Sequence, residues 1–309
     1  MSTPVVVLGP TASGKSDVAM AVAVEACASA HPIELVAVDA MQVYRGMDIG
    51  TAKPTSAHRA AVPHHGIDLV DPDLDFTVAE FSAVACEAIE GIERRGRRPL
   101  LVAGTGLYLR TITDPMEMPG VWPELRAQLE ARLDHDGPET LHAELVGLDP
   151  VAASRIEPGN GRRTVRALEV CLGSGRPFSS FGPGLDTYAP TRFVQIGLRW
   201  QRDVLARRIE QRVHQMMAAG LLAEVAALVA RPHGLSRTAR QALGYKELIE
   251  HLDGQVSLDR AIATIILRTR QFAVRQERWF RRDPRIQWVD IHDDPVAEVV
   301  PVVREAITR

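Results

Sequence analysis

Residues Gly9-Pro10-Thr11-Ala12-Ser13-Gly14-Lys15-Ser16 constrain the fold of this chain more than any other stretch. They match the pattern G-x-x-x-x-G-K-[ST] in the setting it requires, after the β-branched run Val5 to Leu8 and before a helical stretch beginning near Asp17. The glycines let successive backbone N–H groups curl around a phosphate, and the helix start adds the positive end of a dipole. In this pattern Lys15 reaches the distal phosphates and the Ser16 hydroxyl is placed to ligate Mg²⁺. A strand, an anion-binding turn and a helix in that order predict an α/β fold, with a parallel sheet flanked by helices as in phosphate-loop NTPases. The chain is expected to bind a diphosphate or triphosphate.

The next buried strand, Glu34 to Val38, ends at Asp39, on the edge of the sheet from which the phosphate loop emerges. A carboxylate there is either a reactive group or a residue that folds the following loop. Residues 39–54 show no clean period and read as a loop with short turns. The pair His64-His65 cannot easily serve one metal ion, because adjacent side chains diverge; structural or cavity-lining roles suit them better. Thr77 is placed to cap a helix reaching about Arg95, with Phe81, Val84, Ala88 and Ile92 on one face. The strand that follows, Pro99 to Gly104, delivers Thr105 to the same edge. It ends in Gly-Thr-Gly and lacks the Asp with which a phosphate-loop hydrolase holds its metal. That points to a site that grips a phosphorylated group without hydrolysing it by the usual route.

The sequence changes character between residues 113 and 190. Four short amphipathic helices (124–133, 138–146, 150–156 and 162–172) occur with no strand pattern, and the Gly182-Pro183-Gly184 run reads as a flexible return. An all-helical insertion at 113–190 is expected within a discontinuous core of 1–112 and 191–309. Arg155, Arg162, Arg163 and Arg166 concentrate positive charge around an Asn160-Gly161 turn.

Beyond the insertion, a strand at 192–198 precedes a helix from about Arg202 to Ala219 whose apolar stripe holds Leu205, Ile209, Val213 and Met216. Arg212 falls inside that stripe and so needs an anion, either a carboxylate in a structural ion pair or the phosphate group already expected. Helices at 221–229, 245–252 and 258–280 follow. The last interleaves Arg268, Arg270, Arg275 and Arg278 with Phe272, Trp279 and Phe280. Arginine with aromatic rings suits contact with an RNA backbone and stacking on bases. A short strand at 285–289 is expected to close the sheet.

Composition narrows the setting. With 309 residues, 46% hydrophobic and 24% charged, the chain is large enough for a core plus an insertion. The net charge of −3 does not advertise nucleic-acid binding, though a sum can hide local patches. Cys27, Cys86 and Cys171 show neither zinc spacing nor a disulfide framework. No long apolar span or basic leader precedes the loop, so a cytoplasmic location without a membrane segment is expected, with a monomer as the default for oligomeric state.

Taken together, Gly9 to Ser16, Val38 to Tyr44, Met47-Asp48-Ile49-Gly50-Thr51-Ala52-Lys53-Pro54, Ala103 to Tyr108, Arg166 to Val170 and Arg208 to Arg212 resemble the bacterial tRNA dimethylallyltransferase family, in order and along nearly the whole chain. Ala40 departs from the family, which usually has Ser after its catalytic Asp. The resemblance implies transfer of a dimethylallyl group from dimethylallyl diphosphate to the exocyclic amine of the adenosine 3′ to the anticodon. It implies Asp39 as base, Thr105 near the reacting centre, and Arg212 with residues 9–16 and Mg²⁺ on the leaving diphosphate. Asp39, Ala40, Met41 and Gln42 would meet the target base. Asn160, Gly161, Arg162, Arg163, Thr164, Arg166, Arg240, Gly244, Tyr245, Arg275 and Arg278 would grip the anticodon stem-loop. A nucleotide kinase, which would hold ATP on the same loop, and a nucleotide-switched RNA-binding module are the alternatives.

Overall fold

The computed structural model describes residues 3–182, 184–185 and 187–308, so Pro183 of the expected return lies outside the described residues. The chain divides into two compact units. One is built from residues up to Thr113 and from Pro190 onward, the other from Asp114–Ala189.

The first unit begins with β1 (Val5–Leu8), α1 (Lys15–Ala26), β2 (Ile33–Val38), α2 (Ser56–Ala61), β3 (His64–His65), α3 (Val78–Arg94), β4 (Arg98–Ala103) and α4 (Gly106–Thr113). Helix α1 starts two residues earlier than its apolar pattern suggests. Gly14 serves as its N-cap in the left-handed region (φ 89), and a Cβ there would meet Pro295 Cγ at 2.5 Å. The capping box of α3 is complete, with Thr77 Oγ1 accepting from the Glu80 amide and Glu80 accepting from the Thr77 amide. Strand β3 and helix α4 lie in stretches whose short period gave no signal of either.

The second unit holds α5 (Pro123–Asp136), α6 (Pro138–Leu148), α7 (Pro150–Ser154) and α8 (Gly161–Ser174), followed by a 3₁₀ turn at Phe178–Ser180. Each of α5, α6 and α7 opens on proline, whose missing N–H costs nothing at a first helical turn. Their apolar faces close on a core of Leu129, Leu141, Leu145, Ile156, Val165 and Leu168.

The first unit resumes with β5 (Val194–Trp200), α9 (Arg202–Ala218), α10 (Leu221–Val229), α11 (Arg237–Arg240), α12 (Tyr245–Leu252), α13 (Leu258–Phe280), β6 (Ile286–Ile291) and α14 (Pro295–Thr308). Among the described residues the sheet has six strands, all parallel, in the order β3-β2-β4-β1-β5-β6. Its central strands are buried on both faces, which is why they read as unbroken apolar runs. Val6, Leu8, Val36, Val38 and Leu101 face one core layer with α3, α10, α12 and α13. Val5, Val7, Ile33, Leu35 and Leu100 face the other with α1, α9 and α14. Strand order reverses at β1, between β4 and β5, and the crevice beyond the carboxyl ends of β1, β2 and β4 is where an open parallel sheet binds its ligand.

Candidate active site

A cavity of about 960 Å³ opens at that crevice. Thr11 to Ser16, Asp39 to Gln42, Thr105, Arg212, Gly244 and Arg275 all line it. Gly9 and Pro10 form the approach to the loop rather than the lining, with Lys15 Nζ donating to the Pro10 carbonyl at 3.3 Å.

Two residues of α9 and β5 hold the loop in shape. Arg208 Nε donates to the Ala12 carbonyl (3.0 Å) while its guanidinium lies over the Trp200 ring, and Trp200 Nε1 donates to the Ser13 carbonyl (2.9 Å). Ala12 sits in the left-handed region (φ 62), a conformation that these contacts sustain. With the carbonyls so engaged, the amides of Gly14, Lys15 and Ser16 at the start of α1 remain for an anion. Burial lowers the Lys15 pKa to about 8, and Arg212 beside it acts in the same direction against Asp39 and Asp17. Burial also holds the Arg212 guanidinium below its ordinary value, against Asp17 and Asp39. Among the described residues no carboxylate forms an ion pair or hydrogen bond with Arg212. Two cations therefore lie close together with Asp39 and Asp17 near both, a concentration of positive charge that favours an anion.

Asp39 divides its two oxygens between the alternatives that its position allows. Oδ1 accepts the amides of Met41 (2.8 Å) and Gln42 (3.3 Å), folding the loop that follows β2. Oδ2 accepts no hydrogen bond among the described residues and faces Gly104, where an added Cβ would lie 3.3 Å from it and 3.5 Å from Lys15 Cε. Carboxylate and ammonium therefore share one small volume above the end of β4. Thr105 Oγ1 accepts the Ala40 amide (3.3 Å), and the amides of Gly104 and Thr105 both donate to the Val38 carbonyl. Ala40 thus contributes its backbone N–H to this corner.

Gln276 completes the corner, and sequence reasoning missed it. Its Oε1 accepts the Thr11 amide (2.9 Å) and its Nε2 donates to the Gly104 carbonyl (2.6 Å), joining α13 to both the phosphate loop and the Thr105 turn. The available signal was a polar residue on the same buried face as Ala273 and Phe280. His64 lines the cavity with Nδ1 on the Val62 carbonyl, whereas His65 pairs with Glu34 away from it.

The residues expected on an RNA surface separate into two groups. Arg240, Arg275 and Arg278 are exposed in the first unit, and Arg162 and Arg163 are exposed in the second, where Asn160 caps α8. Thr164 and Tyr245 are fully buried. Arg166 is spent within its own unit, on the Pro119 and Gly120 carbonyls and on Glu169. Thr164 and Tyr245 thus present no side-chain surface, whereas Arg166 keeps part of its side chain exposed.

A phosphate-loop turn after the first strand, an acid with one free oxygen at the next strand end and an arginine beside Lys15 place the protein in the phosphate-loop α/β class. A family model described as IPP transferase matches residues 42–283, and the chain belongs to that family. It is 49% identical to a tRNA dimethylallyltransferase of Kineococcus radiotolerans over 98% of each chain, and 47% identical to that of Streptomyces coelicolor over 92% of this chain and 89% of the other. Among solved structures, a tRNA isopentenylpyrophosphate transferase of Bacillus halodurans is similar at 37% identity and a TM-score of 0.69, covering 100% of this chain and 97% of the other. A eukaryotic dimethylallyltransferase solved acting on tRNA is similar at 25% identity and a TM-score of 0.77, covering 99% and 78%.

Proposed function

We infer that this chain is a transferase that modifies tRNA, moving a dimethylallyl group from dimethylallyl diphosphate to the exocyclic amine of the adenosine 3′ to the anticodon. The observation that carries the reading is the sharing of one cavity by Asp39 Oδ2, the phosphate loop, Lys15 and Arg212, which forms no ion pair with a carboxylate among the described residues. The adenine amine is a poor nucleophile because its lone pair is delocalised into the ring. As its nitrogen bonds to the allylic carbon, the carbon–oxygen bond to diphosphate breaks and a proton leaves the nitrogen. Asp39 takes that proton, with Oδ1 held by the loop and Oδ2 open to the amine. The carbon tolerates positive charge, so the principal demand is stabilisation of the departing diphosphate. The amides of Gly14 to Ser16, Lys15 and Arg212 supply it. The target base leaves its stack to reach the cavity, and Gln42 and Thr105 meet it there.

Mg²⁺ fits the donors present. Among the described residues no three His, Cys, Asp or Glu side chains cluster to hold a metal. Ser16 offers a hydroxyl, and the remaining ligands would be diphosphate oxygens and water, the ordinary pattern for this ion. When bound, it would neutralise charge on the diphosphate. The anticodon stem-loop would meet the exposed arginines Arg162, Arg163, Arg240, Arg275 and Arg278. No single helix among the described residues is long and apolar enough to cross a membrane. A cytoplasmic monomer is the working form proposed.

The test combines purified protein and unmodified tRNA with dimethylallyl diphosphate or with ATP. A mass gain of one dimethylallyl group on the tRNA in the first arm alone is expected; phosphate transfer in the second would establish a kinase instead. Asp39→Asn should lower the rate by about 10²- to 10⁴-fold while diphosphate binding persists. Undiminished turnover by that variant would remove Asp39 from the chemistry.

A further inference from the structure

The loop that carries Asp39 and Gln42 is braced from outside the sheet. Gln42 Nε2 donates to the carbonyls of Thr51 (3.0 Å) and Ala52 (3.3 Å), so the turn at residues 48–52 sets where this side chain points. That turn is held from α10. The Glu224 carboxylate accepts the amides of Asp48 (3.0 Å) and Ile49 (2.7 Å) on Oε2 and that of Gly50 (3.3 Å) on Oε1. Three consecutive N–H groups converging on one carboxylate form a charge-assisted nest. The Tyr245 hydroxyl adds a fourth donor, 2.6 Å from Oε1. Burial, with Glu224 beside it, raises the phenol's pKa, so the proton stays on Tyr245. Gly50 is required by space, because a Cβ at this position would overlap the Tyr245 ring. Lys53 fixes the far end of the turn through the Tyr44 carbonyl, Asp48 and Asp68.

Glu224 does not line the cavity. Its grip reaches the site through two steps, from turn 48–52 to the Gln42 side chain, and from the Gln42 amide to Asp39 Oδ1. We propose that Glu224, backed by Tyr245, is a positioning residue for prenyl transfer: it fixes turn 48–52, and thereby holds Gln42 and the Asp39 loop in register with the incoming adenine. This rests on the functional reading above. It also accounts for Tyr245 being buried in a segment whose neighbours line the cavity.

The two substrates approach from different supports, and that makes the role separable from simple scaffolding. The diphosphate rests on the phosphate loop, Lys15 and Arg212, none of which Glu224 touches. A positioning role therefore predicts a selective defect. With full-length protein, tRNA and dimethylallyl diphosphate, Glu224→Gln should lower kcat/KM for tRNA by about 10- to 100-fold, the scale of a small misplacement of a reacting group. KM for dimethylallyl diphosphate should stay within about twofold. Tyr245→Phe, which keeps the ring against Gly50, should show a weaker loss in the same direction, and Glu224→Asp, which keeps the charge, should recover part of the rate. In a Gln42→Ala background, Glu224→Gln should cost less than it does alone, because the two act in series. Fully additive losses, matched rises in both KM values, or wild-type kinetics in both Glu224→Gln and Tyr245→Phe would overturn the proposal. Wild-type protein inert toward tRNA would overturn the functional reading and this inference with it, whereas active wild type with unaffected variants would sink the inference alone.

Discussion

Lys15 stands between two opposing demands. A buried ammonium is costly, and Arg212 adds to that cost, yet a diphosphate needs both charges. In the ligand-free protein Lys15 sheds its proton as pH passes about 8. The anion binds the protonated form, so KM for dimethylallyl diphosphate should rise above about pH 8 in initial-rate measurements, before any change caused by unfolding. The sign for stability is opposite. The unfolded chain keeps this proton to 10.5, so between about 8 and 10.5 it binds more protons than the folded state, and rising pH relieves the penalty of holding the Lys15 charge in the folded protein. Asp39 illustrates what one sequence position can and cannot declare. Its place at the end of a buried strand marked it, but only the fold shows that one oxygen shapes the loop while the other accepts no hydrogen bond among the described residues. Gln276 and Glu224 were illegible for a plain reason. Each acts on backbone groups more than 170 residues away, and nothing in local periodicity encodes such a partner.

At the level of elements, the sequence was most explicit where local chemistry is self-sufficient. The Thr77 cap is one such case, with both hydrogen bonds of its box present. Thr77→Ala should destabilise the protein by about 1 kcal/mol, read from the shift of a denaturant midpoint, with kcat unchanged because α3 contributes nothing to the cavity. The buried strands were equally legible, since two covered faces demand continuous apolar residues. Helix α4 and the two-residue β3 were not. Strand β3 exists because its backbone pairs with Leu35 and Val36 of β2, a property of its neighbour and not of His64-His65. Helix α13 shows both limits together: its arginine-rich pattern was plain, but the face it turns to the phosphate loop became visible only through Gln276.

For the whole molecule, a net charge of −3 conceals a separation between arginines neutralised internally and arginines left exposed. Arg126 and Arg166 are bound to Glu169, and Arg268 is bound to Glu247, whereas Arg162, Arg163, Arg240, Arg275 and Arg278 stand at the surface. If the exposed group meets tRNA phosphates, log K for tRNA should fall linearly with log salt, and replacing any one of them by Ala should reduce that slope by about 1. Arg166→Ala should instead weaken the second unit, seen as a lower Tm with an unchanged slope per remaining contact. The sequence by itself determined the parallel α/β core, the phosphate cradle, the acid at the second strand's end and the helical character of the insertion, because each rests on short-range rules of backbone geometry and periodicity. Tertiary structure alone decided which charges are spent in ion pairs and which stand exposed, that Arg212 forms no ion pair or hydrogen bond with a carboxylate among the described residues, and how Glu224 and Gln276 brace the site. Those outcomes depend on groups far apart in the chain meeting in space, where burial removes the water that would otherwise serve them.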